Sequence, residues 1–143
     1  MTQTPPKTAD PAGGVVVRDL RPHEAEQARV FLCSQGWAHR MSDGAAFARL
    51  IADSQRTAAA FLGNELIGFA RGITDHQSNG YLSMVAVALE HRRAGLGRAL
   101  VLHVVGENSG ITWLLRADRA DAAPFFAKLG FSASSVAMEL NRR

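Results

Sequence analysis

A chain of 143 residues that is 47% hydrophobic and carries a formal charge of +3 is sized for one soluble globular domain with a real core. No apolar run approaches a membrane span, and the lone cysteine, Cys33, excludes an internal disulfide and a cysteine metal cage while fitting a reducing cytoplasm, the expected location. The basic residues are nearly all arginine and lie scattered, apart from Arg92-Arg93 and Arg142-Arg143, which argues against the dense basic face of a nucleic-acid binder.

In chain order, residues 1–14 hold Pro5, Pro6, Pro11, Gly13 and Gly14 and no apolar core, so they are expected to form a flexible tail rather than a secretory signal. Residues 15–143 are expected to be the single domain. Val15-Val16-Val17-Arg18 reads as a short strand. Arg21-Pro22-His23-Glu24 opens a helix whose apolar stripe runs to Cys33 and which Gly36 ends. The segment 36–41 carries Trp37, His39 and Arg40. Ser42-Asp43 caps a second helix bearing Phe47, Leu50 and Ile51. Runs at 57–62 and 66–73, joined by Gly63-Asn64, predict a hairpin. A polar turn at 75–80 contains Asp75 and His76, and its composition favours a solvated turn over a catalytic pair. A strand at 81–89 follows, then a glycine-bearing junction and a helix to about residue 107, stopped by Asn108-Ser109-Gly110. The remainder predicts a strand at 111–115, a helix at 118–128 capped by Gly130, and a last strand at 134–140. The order β-α-α-β-β-β-α-β-α-β is that of a mixed α/β domain.

The junction Arg92-Arg93-Ala94-Gly95-Leu96-Gly97-Arg98 carries the chemistry. Glycines at a strand-to-helix turn let backbone approach a ligand, and the first N–H groups of the helix sit unpaired at its positive end. That combination suits a phosphate or pyrophosphate. A dinucleotide fingerprint needs a third glycine where Leu100 stands, and a P-loop needs Gly-Lys-Ser/Thr where Gly97-Arg98-Ala99 stands. The bland alternative is a helix start whose glycines only permit close packing.

Arg92-x-x-Gly95-x-Gly97, after Met84-Val85-Ala86-Val87-Ala88-Leu89, resembles the acetyl-CoA pyrophosphate loop of the GNAT superfamily of acyl-CoA-dependent N-acyltransferases. The later Phe125-Phe126-Ala127-Lys128-Leu129-Gly130-Phe131 is similar to that family's C-terminal helix, and the likeness runs from about residue 15 to 140. The resemblance implies an α/β fold with a mostly antiparallel sheet, splayed between its fourth and fifth strands and flanked by helices. It implies acetyl-CoA as co-substrate, with the amides of Arg93, Ala94, Gly95, Leu96, Gly97 and Arg98 on the pyrophosphate. Val85 and Val87 would pair their backbone with the pantetheine arm, Arg92 and Arg93 are candidate phosphate contacts, and Phe126 packs on the cofactor. Replacing Gly97 by a bulky residue is expected to abolish binding and leave the fold intact.

Direct N-acyl transfer needs a neutral amine, a polarised carbonyl and a base. The strand at 81–89 holds no Asp or Glu, and its polar members, Tyr81 and Ser83, are the candidate catalytic residues. Glu90 lies past the strand and is expected to face solvent. Phe126 stands where many family members have a tyrosine acid, and Arg119 where they often have asparagine. Cys33 is expected to be an inert thiol and His103 structural. Trp37, His39 and His76 are candidate acceptor contacts, and no metal is implied. Few charged residues sit in the presumed acceptor segments, so a neutral or aromatic amine is as open as a polyamine. The acceptor class is a small-molecule or peptide amine, with neither nucleic acid nor membrane as partner and a homodimer through late strands left open. An acyl-CoA-binding or sensing module with little turnover is the alternative function.

Overall fold

Three successive valines give β1 (Val15–Arg18), which pairs antiparallel with β2 (Arg56–Leu62) from Val15 opposite Leu62 to Arg18 opposite Ala59. The computed structural model describes residues 14–37 and 41–143. The expected tail therefore lies outside the described residues except for Gly14, and so does His39. Between β1 and β2 come a short 3-10 turn at Pro22–Glu24, then α1 (Ala25–Leu32) and α2 (Gly44–Ala52). Asp43 caps α2 as its sequence suggests, accepting from the N–H groups of Ala45 at 3.0 Å and Ala46 at 3.2 Å. A π-type turn at Cys33–Trp37 follows α1, with Gly36 at φ +96°.

β2 turns through Gly63-Asn64 into β3 (Glu65–Thr74), which pairs with β4 (Asn79–Val87); β5 (Thr112–Leu114) adds parallel to β4. The five strands stand in the order β1-β2-β3-β4-β5. Asp75 makes the β3–β4 turn: its carboxylate accepts from the N–H groups of Gln77, Ser78 and Asn79 and from the Ser78 hydroxyl. The Ser78 hydroxyl, with those amides, holds the Asp75 carboxyl far below the usual carboxylate range. That is a turn-building carboxylate, not a catalytic one.

α3 (Leu96–Val105) packs on one face of the sheet, where a Cβ at Gly72 would lie 2.6 Å from Val104 and one at Gly80 would lie 2.5 Å from Trp113. Strand alternation then puts Arg71, Ile73, Tyr81 and Ser83 on the opposite face. α4 (Ala122–Lys128) ends at Gly130, φ +100°, with Phe131 N–H donating to Phe126 O at 3.1 Å. Phe69, Leu32, Ile67, Leu100 and Val104 are fully buried at the centre.

Several elements differ from the sequence reading; β4 runs two residues earlier than the expected 81–89, and β5 is shorter than 111–115. α3 stops at Gly106, φ +69°, rather than at 108–110, because only glycine takes that turn without strain. α4 begins at Ala122, after a loop, rather than at 118. The predicted strand at 134–140 does not form. Its alternating Val136, Met138 and Leu140 are 87%, 99% and 82% exposed. The Ser134 hydroxyl instead accepts from the N–H groups of Val136 and Ala137, and Arg116 ties the segment down through Glu139 and Asn141. A strand needs a neighbouring edge, and none is paired with it here.

One ion pair anchors the α1 entry. Arg18 grips Glu24 with two hydrogen bonds, 2.9 and 2.7 Å, and Glu24 Oε1 also accepts from Arg21 N–H at 2.8 Å. The Arg18 side-chain hydrogen bond, helped by that amide, lowers the buried Glu24 carboxyl from 4.5 to about 2. A depressed carboxyl stabilises the fold above its unfolded pKa, and that stability fades as pH falls from about 4.5 through about 2. We expect acid titration of unfolding to show a loss on the order of 2 kcal/mol across this window. Glu24→Gln should flatten that part of the profile.

Candidate active site

The fourth strand is broken by a bulge that the sequence did not announce. Ser83 pairs with Arg71 and Ala86 with Phe69, so Ala70 alone faces both Met84 and Val85. Met84 takes φ +57°, a left-handed conformation rare for such a side chain, while staying buried. Past Tyr81 opposite Leu114, β4 has no partner on its β5 side among the described residues. Ala88 N–H donates to Ile67 O at 2.9 Å, so by alternation Val85 and Val87 turn their main-chain groups to the gap. The gap is the splay the fold resemblance implied.

At the end of that gap lies the glycine junction. After a 3-10 turn at Leu89–His91, Arg93 takes φ +66° and Gly95 φ +82°, and buried Leu96 anchors the start of α3. The first main-chain bond of the helix is Ala99 N–H to Gly95 O at 3.0 Å. The N–H groups of Arg93, Ala94, Gly95, Leu96, Gly97 and Arg98 meet no acceptor among the described residues. They leave a cradle of free donors at a helix N-terminus, an arrangement that suits an anion. Two residues also make contacts that the sequence did not announce. Arg92 Nε donates to Val87 O at 2.9 Å and its Nη2 to Gln35 Oε1 at 3.4 Å, clasping β4 to the turn after α1. Gly97 is small because a Cβ there would lie 2.8 Å from the Phe125 ring, so it serves packing between α3 and α4.

On the sheet face opposite α3, a cavity of about 1030 Å³ opens. It gathers the expected Tyr81, Ser83, Val85, Phe126 and Trp37. Phe126 is buried and packs edge-on against Phe125 at 4.9 Å and Phe131 at 5.7 Å, which fixes it as a wall. His76 is not brought to the cavity. It sits in the β3–β4 turn at φ +63° with Nδ1 3.3 Å from Arg56 Nη2. Glu90 is exposed, as expected. His103 Nε2 pairs with Asp19 at 2.6 Å on the surface, and Cys33 Sγ lies 3.9 Å from Met41 O.

The cavity also contains charged side chains, of which the linear reading singled out Arg119 alone as a site position. Arg71 enters from β3, Arg116, Asp118 and Arg119 from the loop after β5, and Arg142 from the C-terminal end. These residues reach the cavity from segments far apart in the chain. One signal was available: Arg71 is the lone charge inside the apolar run Phe69-Ala70-Arg71-Gly72-Ile73. The Glu139 side-chain hydrogen bond pushes the Arg116 guanidinium up, so it stays charged. Arg119 Nη2 donates to Gln35 O at 3.3 Å.

A splayed fourth strand leading into an amide cradle is matched by sequence: a model of the acetyltransferase (GNAT) family covers residues 18–131. The chain belongs to the GNAT acetyltransferase family. This GNAT domain is similar in structure to an acetyltransferase of Trypanosoma brucei, with 22% identity, TM-score 0.69, and coverage of 90% of this chain and 99% of that one. It is also similar to a ribosomal-protein-alanine N-acetyltransferase of Brucella melitensis, with 16% identity and TM-score 0.73, covering 91% and 100%. A third neighbour is an aminoglycoside acetyltransferase from an uncultured soil sample, with 25% identity and TM-score 0.65, covering 90% and 99%. No curated protein sequence is similar enough to the GNAT chain to count as a relative. No described helix is long and apolar enough to cross a membrane.

Proposed function

We propose that this GNAT protein is an N-acetyltransferase that moves an acetyl group from acetyl-CoA directly to a primary amine. The observation that carries the reading is the run of unpartnered amides from Arg93 to Arg98 at the mouth of the β4–β5 gap. Acetyl-CoA, when bound, supplies the thioester acyl group and leaves with its sulfur as the thiol. The residues present fit it: the amides and the α3 N-terminus suit a diphosphate, and the free edge at Val85 and Val87 suits an extended amide-bearing arm. Arg92 holds the edge in place through Val87 O, and exposed Arg93 and Arg98 add positive charge beside the cradle. Phe126 and Trp37 wall the cavity and limit water at the reacting carbonyl.

An amide on the free edge near Val87 is the candidate oxyanion donor. Tyr81 and Ser83 carry the hydroxyls on the cavity floor, and Asp118 is the carboxylate on its rim. With Phe126 unable to give a proton, Tyr81 is the residue placed to hand protons between amine, water and leaving sulfur. Lone Cys33 supports a reducing, cytoplasmic setting.

Thiol release over a panel of amines tests the reading. Saturable release, dependent on both acetyl-CoA and amine, is expected. Acetyl-CoA binding without release for any amine would instead favour a sensing module. Tyr81→Phe should lower kcat by about 10²-fold with little change in acetyl-CoA affinity. An unchanged kcat and pH–rate profile would clear Tyr81 of proton transfer.

A further inference from the structure

Several arginines are matched within the protein. Arg18 has Glu24 and Arg29 has Glu26, each within 2.7 Å, while Arg56 Nη1 is held by the carbonyls of Val104 and Val105 at 2.9 Å each. Arg71 is held at Nε alone, by a neutral hydroxyl. It sits in the middle of β3, half-buried, beside Ser83 on β4 and facing the cavity. Its Nε donates to Ser54 Oγ at 2.9 Å, and that hydroxyl donates to Leu50 O at 2.7 Å, so the head group is held in one orientation. Among the described residues no carboxylate pairs with it, and its Nη groups have no protein acceptor. Burial alone pushes its pKa down. A half-buried guanidinium, held at Nε on a cavity wall with its Nη groups unmatched, is costly unless an anion meets it there.

The rest of the cavity has the same sign. Among the described residues, Arg119 and Arg142 line it without a carboxylate partner, Arg116 is matched by Glu139, and Asp118 is the only acid on the wall. Such a site repels polycations. Trp37, Met41 and Leu50 make the remaining wall apolar.

We propose that the acceptor is an amine bearing its own carboxylate, an amino acid with an apolar side chain, whose carboxylate is taken by Arg71. This rests on the acetyltransferase reading above and names its substrate class. Guanidinium and carboxylate match as a two-pronged pair. The same positive field disfavours an ammonium and so favours the neutral, attacking amine. That accounts for a fourth strand with no carboxylate base. In the transfer, the amine nitrogen bonds the acyl carbon, the carbon–sulfur bond breaks, and the amine proton leaves through Tyr81 or water to the sulfur or solvent.

The test uses phenylalanine, phenylalaninamide, phenethylamine and spermidine as acceptors, with thiol release as the readout. The acid is expected to have kcat/KM about 10- to 100-fold above its amide and amine, with spermidine poorest. Arg71→Gln should remove that preference, mainly through KM, lower phenylalaninamide turnover far less than that of phenylalanine and keep acetyl-CoA affinity by calorimetry. Arg71→Lys should restore part of it. Equal use of all four, or preference for spermidine, with Arg71→Gln silent, overturns the proposal while leaving the transferase intact. Should no amine turn over, calorimetry of phenylalanine and phenylalaninamide on the CoA-saturated protein decides. Binding of the acid alone, lost in Arg71→Gln, upholds the anion site even though transferase activity fails. Absence of that binding overturns it.

Discussion

Gly95→Val is expected to leave the protein folded and to weaken acetyl-CoA binding about a hundredfold. Gly95 sits at φ +82° just before α3, with nothing within 4 Å of where a Cβ would project. A β-branched side chain meets no protein atom there, so packing is untouched. It does resist the left-handed backbone, at about 1–2 kcal/mol. Relief of that strain rotates the peptide planes on either side and turns the amides of the cradle out of line. The branch also projects into the open side on which a diphosphate would lie. Calorimetry reads the affinity, and thermal denaturation checks that Tm falls by only a few degrees. Unchanged affinity would mean that the cradle binds no diphosphate.

Gly97→Val should behave in the opposite way, as a stability mutant first. Its Cβ would fall 2.8 Å from Phe125 Cζ and 3.1 Å from Cε1. Phe125 cannot simply swing aside, because it packs edge-on against Phe126, which in turn packs on Phe131. The strain passes into α4 and the cavity wall. Overpacking of this kind costs about 1–3 kcal/mol, or roughly 3–10 °C in Tm for a domain of this size. Loss of acetyl-CoA binding should follow from that movement. The pair of variants separates two roles that the sequence run Gly95-Leu96-Gly97 fuses, the first glycine for backbone and ligand, the second for helix packing. A Gly97→Val protein with unchanged Tm would contradict the division.

Much of the fold was legible because its signals are local. Valines at 15–17, Asp43 ahead of α2, Gly63-Asn64 in the hairpin and Gly130 after α4 each act within a few residues, and each appears where its chemistry places it. The glycine turn into α3 was legible for the same reason. What escaped depends on partners distant in sequence. The bulge at Met84 puts a methionine into a conformation that its own preferences oppose, so only the register against β3 imposes it. The strand pattern at 134–140 is real in the sequence, yet a strand exists only when an edge accepts it. Arg71 and Arg142 lie far apart in the chain but meet in one cavity, and no spacing rule predicts that. His76 looked available as a ligand contact, while the turn that holds it points it at Arg56 instead.

The central claim is that the main chain from Arg93 to Arg98 receives the diphosphate while the β4 edge at Val85 and Val87 receives the arm that carries the thioester. Amide NMR of the labelled protein during an acetyl-CoA titration tests it most directly. The account predicts large, saturable shifts for the amides of residues 93–98, downfield as they gain acceptors, with those of Val85 and Val87 moving on the same isotherm. Saturable binding that leaves these amides unmoved, or no binding up to millimolar acetyl-CoA, would contradict it.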